Sequence, residues 1–301
     1  MKIAAAAYPL DWFNRWNEYV GKLRVWIRTA AENGADLLVF PEYASFELAS
    51  LAGEENAKDM PRAFEAVAAR LKDVDELHES LAREFAVHIA AGSAPMIGEG
   101  RLVSRVRFFA PDGEMGYQDK QSLTPFDIEA GITPGAGGRV FDTALGRVGI
   151  LPGRDAEMAP RARAMARAGA ELLLVAGGAG SPLGYWRQRI SAMARALETE
   201  TIVAHAVRVG PADWLGTARS NIGAASVFCP PEEGLSEEGV LASGKMNAAG
   251  WVYGEFDIED LRAARNRRAA ADPKLREDRA THAGPVETLR LGRLTQMGAA
   301  G

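Results

Sequence analysis

The stretch "GRVGILPGRDAEMAPRARAMARAGAELLLV", residues 146–175, lays out a strand, a turn, a helix and a second strand in one run. The apolar segment ending at Leu151 is a buried strand, and Gly153 stands at the tip of the turn that follows. Charged residues come next, and an alanine-rich helix extends to about Ala168. "GAELLLVAGG", residues 169–178, is again a buried strand. Enzymes place nucleophiles at such strand-to-helix turns. The side chain there stands clear of the sheet, and the helix N-terminus favours developing negative charge. The residue at this tip, however, is glycine and carries no reactive group.

Working outward, strands and helices alternate along the chain. "KIAAAAY" (2–8) reads as a short buried strand, and apolar residues recur at helical spacing from Trp12 to Asn33. "ADLLVFPE" (35–42) is a continuous apolar run, as expected of a central strand covered on both faces. Two helices are predicted near 60–72 and 74–86. The segments "HIAAGSAPMI", "VRFFAP" and "EMGYQDK" then read as strands, with a Pro111-Asp112-Gly113 turn between the last two. A loop rich in Gly and Pro (121–138) leads to "RVFDT" and back to the opening stretch. Beyond it, "GYWRQRISAMARALETE" (184–200) is an amphipathic helix with Trp186, Ile190, Met193 and Leu197 on one stripe. That stripe is read as packing against the sheet, with part of the helix at a subunit interface. "TIVAHAVRVG", "AASVFCP" and "WVYGEFDI" complete the strands. This is one α/β domain with mixed β-sheets, spanning 1–270, followed by a charged tail at 271–301.

The chain has 301 residues, 47% hydrophobic and 25% charged, enough to bury a sizeable core. A net charge of -5 leaves no basic excess with which to neutralise phosphates, so no nucleic-acid partner is expected. The basic run "LRAARNRRAAADPKLREDR" (261–279) is laced with acids and reads as a solvated helix face and tail. Cys229 is the only cysteine, which excludes an intramolecular disulfide and a thiolate zinc cluster. His78, His88, His205 and His282 show no ligand spacing, and His205 inside "IVAHAV" reads as a core histidine. No metal or cofactor is called for. The apolar start of the chain is broken at Pro9 and Asp11, too early for a signal sequence, and no stretch approaches a membrane span. A cytoplasmic protein without membrane partners is the expectation.

Three strand ends carry polar residues: Glu42 after "LLVFP", Lys120 after "GYQD", and the turn at 153–157. A carboxylate and an ammonium entering one pocket tune each other, the ammonium lowering the carboxylate pKa and burial opposing it. Such a pair can move a proton and hold an oxyanion.

With these residues in place, the chain resembles the nitrilase, or carbon–nitrogen hydrolase, superfamily over nearly all of residues 1–262. "GADLLVFPE" is similar to the family's first motif, whose Glu is the general base, here Glu42. "GYQDKQSLTPF" is similar to the second, whose Lys stabilises the tetrahedral intermediate, here Lys120. The opening stretch matches the third motif without a gap, and "AMARALETETIVAHA" resembles the helix and strand after it. The resemblance implies a four-layer αββα sandwich with mixed β-sheets, and two such units paired as a homodimer or built into a higher homo-oligomer.

The departures cluster at the turn. The family's nucleophilic Cys falls on Gly153 and the following Tyr on Arg154, while Asp155 and Glu157 fit the pattern. The expected Phe-Pro falls on Met158-Ala159, and "AGGAG" (176–180) stands where relatives show Pro-Ser. Without the thiol, no covalent acyl-enzyme can form at this position. Glycine there leaves room for a water or a substrate atom.

Arg154 either points into the pocket as an anion clamp or pairs with an acid such as Glu157. Glu129, in the loop after Lys120, is the candidate for an additional pocket carboxylate. Asp155 is read as a cap on the following helix. Cys229, at a strand end, is read as buried and unreactive. Gly153, Arg154, Glu129 and Glu157 thus form the expected substrate-binding set, with Glu42 and Lys120 catalytic.

These readings predict an atypical superfamily enzyme acting on a small amide, amine or imine without cysteine. Glu42 serves as general acid/base and Lys120 as anion stabiliser, by direct water attack or by a non-hydrolytic step such as cyclisation, condensation or elimination. The alternative is a pseudoenzyme that keeps fold and pocket as a binding or scaffold subunit. Retention of a buried Glu–Lys pair, which costs desolvation, favours catalysis.

Overall fold

The computed structural model describes residues 1–216 and 219–271. Its first half runs β1 (Lys2–Pro9), α1 (Trp16–Glu32), β2 (Leu37–Val39), α2 (Glu54–Lys58), α3 (Met60–Phe85), β3 (His88–Gly98), β4 (Arg101–Phe109) and β5 (Met115–Asp119). The second half runs α4 (Pro125–Glu129), β6 (Val140–Thr143), β7 (Gly146–Pro152), α5 (Ala159–Arg167), β8 (Leu172–Ala176), α6 (Pro182–Thr199) and β9 (Ile202–Pro211). Strands β10 (Ser220–Asn221), β11 (Ser226–Phe228), β12 (Val240–Ser243) and β13 (Gly250–Glu255) follow, then helix α7 (Ile258–Ala271). Residues Met1–Ala264 form one compact unit. From residue 272 onward the expected charged tail lies outside the described residues, as does His282.

The strands join in the order β5-β4-β3-β2-β1-β9-β8-β7-β6, with β1 and β9 pairing in parallel only through Ala7–Val207, Tyr8–Arg208 and Pro9–Val209. That short seam lets the sheet fold over on itself. One buried cluster holds Ile3, Ala5, Leu37 and Val39 from the first half with Val148, Ile150, Leu172 and Leu174 from the second, which is the layer between the two halves. On the outer face of the first half, Leu38 and Phe40 pack with Leu23 and Ile27 of α1 and Val67 and Leu71 of α3. On the outer face of the second, Leu151, Leu173 and Val175 meet Met165 of α5 and Ala192 and Ala196 of α6. The layers are helix, sheet, sheet, helix, with parallel central strands and antiparallel hairpins at β3–β4–β5 and β6–β7.

Two expectations are corrected. The helices predicted near 60–72 and 74–86 are one, α3, because Val67, Leu71, Val74, His78 and Leu81 continue the buried stripe through the intended break. The stripe on α6 faces solvent: Trp186, Ile190, Met193 and Leu197 are exposed. What the helix turns inward is Tyr185, Gln188, Ala192, Arg195, Ala196 and Thr199. Small alanines let it lie close on the sheet, while the larger side chains remain uncovered. Among the described residues, no helix is long and apolar enough to cross a membrane.

Candidate active site

The carboxyl ends of β2, β5, β7 and β8 converge, the place where α/β folds put their chemistry. After β2, Phe40 still donates to the Ala90 carbonyl (2.8 Å), and the chain then turns sharply. Gly92 makes this approach possible: at φ +74, a Cβ there would stand 2.2 Å from the Pro41 carbonyl oxygen. The Glu42 N–H donates to the Gly177 carbonyl (3.0 Å), tying the β2 end to the β8 end. Tyr43 adopts a left-handed φ of +54, rare for a bulky residue, and its N–H donates to Ser93 Oγ at 3.0 Å.

Lys120 follows β5, its N–H on the Ser104 carbonyl and its own carbonyl accepting from Gly135, both at 2.8 Å. Its Nζ donates to Glu42 Oε1 at 2.7 Å and to Asp127 Oδ2 at 2.6 Å. Asp127 also accepts from Tyr43 Oη, Thr124 N and Thr124 Oγ1, each at 2.7 Å. All three charged side chains are buried. One ammonium therefore serves two carboxylates.

Their titrations diverge. Burial raises the Glu42 carboxyl above its usual range, Asp127 adds to the rise, and Lys120 only partly offsets it. Burial pushes Asp127 up as well, but Lys120 and Thr124 outweigh it and hold that carboxyl below its usual range. Burial alone would lower the Lys120 pKa, yet the two carboxylates together raise it. Asp127 is thus the counter-ion that stays ionised beside Lys120, and Glu42 is the carboxyl that takes up a proton more readily. Separation of two carboxyl pKa values by environment is the usual way a site divides acid from base. Lys120 has a third N–H to which no acceptor is assigned among the described residues.

Gly153 begins the turn after β7, buried and at φ +47. A Cβ placed on it would lie 2.3 Å from Glu42 Oε1 and 2.8 Å from Oε2. The expected empty space at this glycine is thus filled by the Glu42 carboxylate itself.

The remaining candidates go elsewhere. Glu129 is exposed on α4, and the carboxylate that reaches Lys120 is Asp127. The two lie two positions apart on one helical turn and so point to opposite sides. Arg154 does not pair with Glu157; its Nη1 donates to the Leu123 carbonyl at 3.0 Å. Glu157 pairs with Arg187 of α6 at 2.7 Å. Asp155 does not cap α5. Its carboxylate accepts from Gln121 N (2.9 Å) and Ser122 N (2.6 Å), fastening the segment after Lys120 to the turn. Cys229 is buried beyond β11, where burial raises its thiol pKa. Burial lowers His205 to about 3, so the ring is neutral. Among the described residues no cluster of three or more His, Cys, Asp or Glu is placed to hold a metal ion.

Three site residues escape the sequence reading: Asp127, Tyr43 and Arg208. Asp127 had a local signal, since Thr124-Pro125-Phe126-Asp127 is a capping box with Pro at the first helical position. Arg208 was visible as a lone cation in the otherwise apolar strand "IVAHAVRVG". Tyr43 had none.

The model of the carbon-nitrogen hydrolase family matches residues 2–255. The chain belongs to the carbon-nitrogen hydrolase family. It is 26% identical over 266 residues to the "Probable hydrolase YhcX" of Bacillus subtilis, covering 88% of this chain and 51% of that protein. It is 26% identical over 190 residues to "Omega-amidase NIT2-A" of Xenopus laevis, covering 60% of this chain and 65% of that one. The chain thus spans about half of the first relative and just under two thirds of the second. Among solved structures it is similar to a mutant of the amidase from Nesterenkonia sp. AN1, which shows Michael addition of acrylamide at that protein's active site cysteine. That likeness has a TM-score of 0.64 at 22% identity and covers 89% of this chain and 99% of the amidase.

Proposed function

We propose that this carbon–nitrogen hydrolase acts on a small amide or related carbon–nitrogen compound without a cysteine nucleophile. The reading is carried by one observation: the Glu42 carboxylate, hydrogen-bonded to Lys120, occupies the space that a side chain at 153 would need. In the Nesterenkonia amidase the reactive group is an active site cysteine. On the resemblance of the third motif, Gly153 corresponds to that position here, and the sole cysteine, Cys229, is buried after β11.

In the hydrolytic form, Glu42 takes a proton from water as the water oxygen bonds to the carbonyl carbon. The C=O electron pair moves onto oxygen, and the third Lys120 N–H stabilises that oxyanion. As the C–N bond breaks, protonated Glu42 returns the proton to the departing nitrogen, giving a carboxylic acid and an amine. The raised Glu42 pKa suits both halves of the exchange. A primary or secondary amide as substrate is supported by the omega-amidase relative.

The test is release of amine from a panel of small amides by the parent and by Cys229→Ala, which has no cysteine at all. Equal turnover supports the cysteine-free reaction. Turnover abolished in a folded Cys229→Ala protein overturns it. A parent that consumes no member of the panel favours the non-catalytic binding subunit.

A further inference from the structure

Arg208 is the charged side chain of the site that the proton-transfer chemistry leaves unused. It lies in β9, opposite Tyr8 of β1 in the seam that joins the two halves of the sheet. It is only 7% exposed, and its Nε and Nη1 are buried with no hydrogen-bond partner among the described residues. Buried polar groups are nearly always satisfied, and a guanidinium left with unpaired donors is costly.

Its neighbours put it at the catalytic centre. The Gly177 carbonyl accepts the Glu42 N–H, and the next residue, Gly178, lies against the guanidinium. A Cβ on Gly178 would stand 3.0 Å from both Nε and Nη2 of Arg208. The Gly178 backbone is itself held on both sides by the Gln188 amide, at 3.0 Å for each hydrogen bond. On the other side the Phe46 ring centroid lies 5.9 Å from the guanidinium carbon. Glu42, Tyr43 and Asp127 all act electrostatically on Arg208, though none is hydrogen-bonded to it. Gly178, the Gln188 amide that fixes it and the Phe46 ring thus surround a guanidinium that lies close to Glu42 and keeps two buried N–H-bearing nitrogens, Nε and Nη1, unpaired.

The geometry points to Arg208 as the recognition group for a carboxylate on the substrate, held beside the carbon–nitrogen bond that Glu42 and Lys120 address. This rests on the proposed function and narrows it to amides that carry a carboxylate. A guanidinium matches a carboxylate with two parallel, charge-assisted hydrogen bonds, which a neutral amide or ester cannot reproduce. The anion would also compensate the donors that the protein leaves unpaired.

The experiment is calorimetric binding of the straight-chain amic acids from malonamate to adipamate, each against the neutral diamide of the same length. It uses the parent, Arg208→Gln, Arg208→Lys and Glu42→Gln. In the parent, at least one amic acid should bind about tenfold or more tighter than its diamide. Arg208→Gln should bring that ratio close to one, and Arg208→Lys should recover only part of it, because an ammonium lacks the fork. Equal affinities in the parent, no binding of any amic acid, or a charge preference that survives Arg208→Gln would each overturn the assignment. A purely structural Arg208 would weaken charged and neutral probes alike and leave their ratio unchanged. Glu42→Gln separates the two proposals. Loss of turnover with the carboxylate preference intact supports both, whereas unchanged turnover removes the catalytic reading and leaves Arg208 to be judged on the binding ratio alone.

Discussion

Replacing Gly153 with alanine probes the tightest approach in the site. The new Cβ would stand 2.3 Å from Glu42 Oε1, well inside van der Waals contact. Two costs follow. A non-glycine residue at φ +47 costs about 1–2 kcal/mol. Glu42 must also withdraw from the 2.7 Å hydrogen bond with Lys120, and a bond to a charged group contributes about 1.5–3 kcal/mol. Together the variant should lose about 2.5–5 kcal/mol, read from urea denaturation followed by tryptophan fluorescence. A double-mutant cycle isolates the contact. In a Glu42→Ala background the added methyl meets no carboxylate, so only the backbone cost of about 1–2 kcal/mol remains. The expected coupling between positions 42 and 153 is therefore about 1.5–3 kcal/mol. Equal destabilisation in both backgrounds, or a Gly153→Ala protein as stable as the parent, would refute the claim that the carboxylate fills the glycine's space.

Other expectations follow from burial and charge. Glu47 is fully buried, and burial raises its carboxyl from 4.5 to about 7 despite the Lys22 ion pair. The folded state holds that proton longer than the unfolded chain does, so its contribution is complete below pH 4.5 and is lost as pH rises to about 7. Glu47→Gln should remove a decline on the order of 3 kcal/mol between acid and neutral pH, and an unaltered decline in urea midpoints would contradict this. Cys229 should resist iodoacetamide in the native protein and react only on unfolding, as followed by intact mass; rapid native labelling would count against its burial. The exposed stripe of Trp186, Ile190, Met193 and Leu197 should join two copies of the chain, so light scattering at micromolar concentration should give a dimer that Ile190→Glu converts to monomer. A monomeric parent would remove that interface.

Much of the architecture was legible because it follows from apolar runs and their punctuation. "LLVF" and "ELLLV" could only be buried strands, and the turn after Leu151 was marked by Pro152-Gly153. The break in α3 was misplaced because polar residues in "LKDVDEL" hide a stripe that keeps its period beneath them. The α6 stripe shows that amphipathicity names two faces without saying which is covered, since alanine packs closely on a sheet and larger residues can remain outside. Within the site, Glu42 and Lys120 were readable from strand ends in sequence. The choice between Asp127 and Glu129 depended on which side of a single helical turn faces inward, and the Thr124 capping box was the clue. Arg154, Asp155 and Glu157 are adjacent in sequence yet go to three different partners, and no periodicity resolves a tight turn of that kind.

The central claim is that Glu42 moves the proton in a reaction that uses no cysteine. Its most direct test is the turnover of Glu42→Gln against the parent on an amide the parent hydrolyses, with thermal denaturation confirming that the variant is folded. Glutamine keeps the shape and a hydrogen bond to Lys120 but cannot accept a proton, so turnover should fall about 10²–10⁴-fold. Turnover equal to the parent's would show that proton transfer lies with another group, and the account of this site would be wrong.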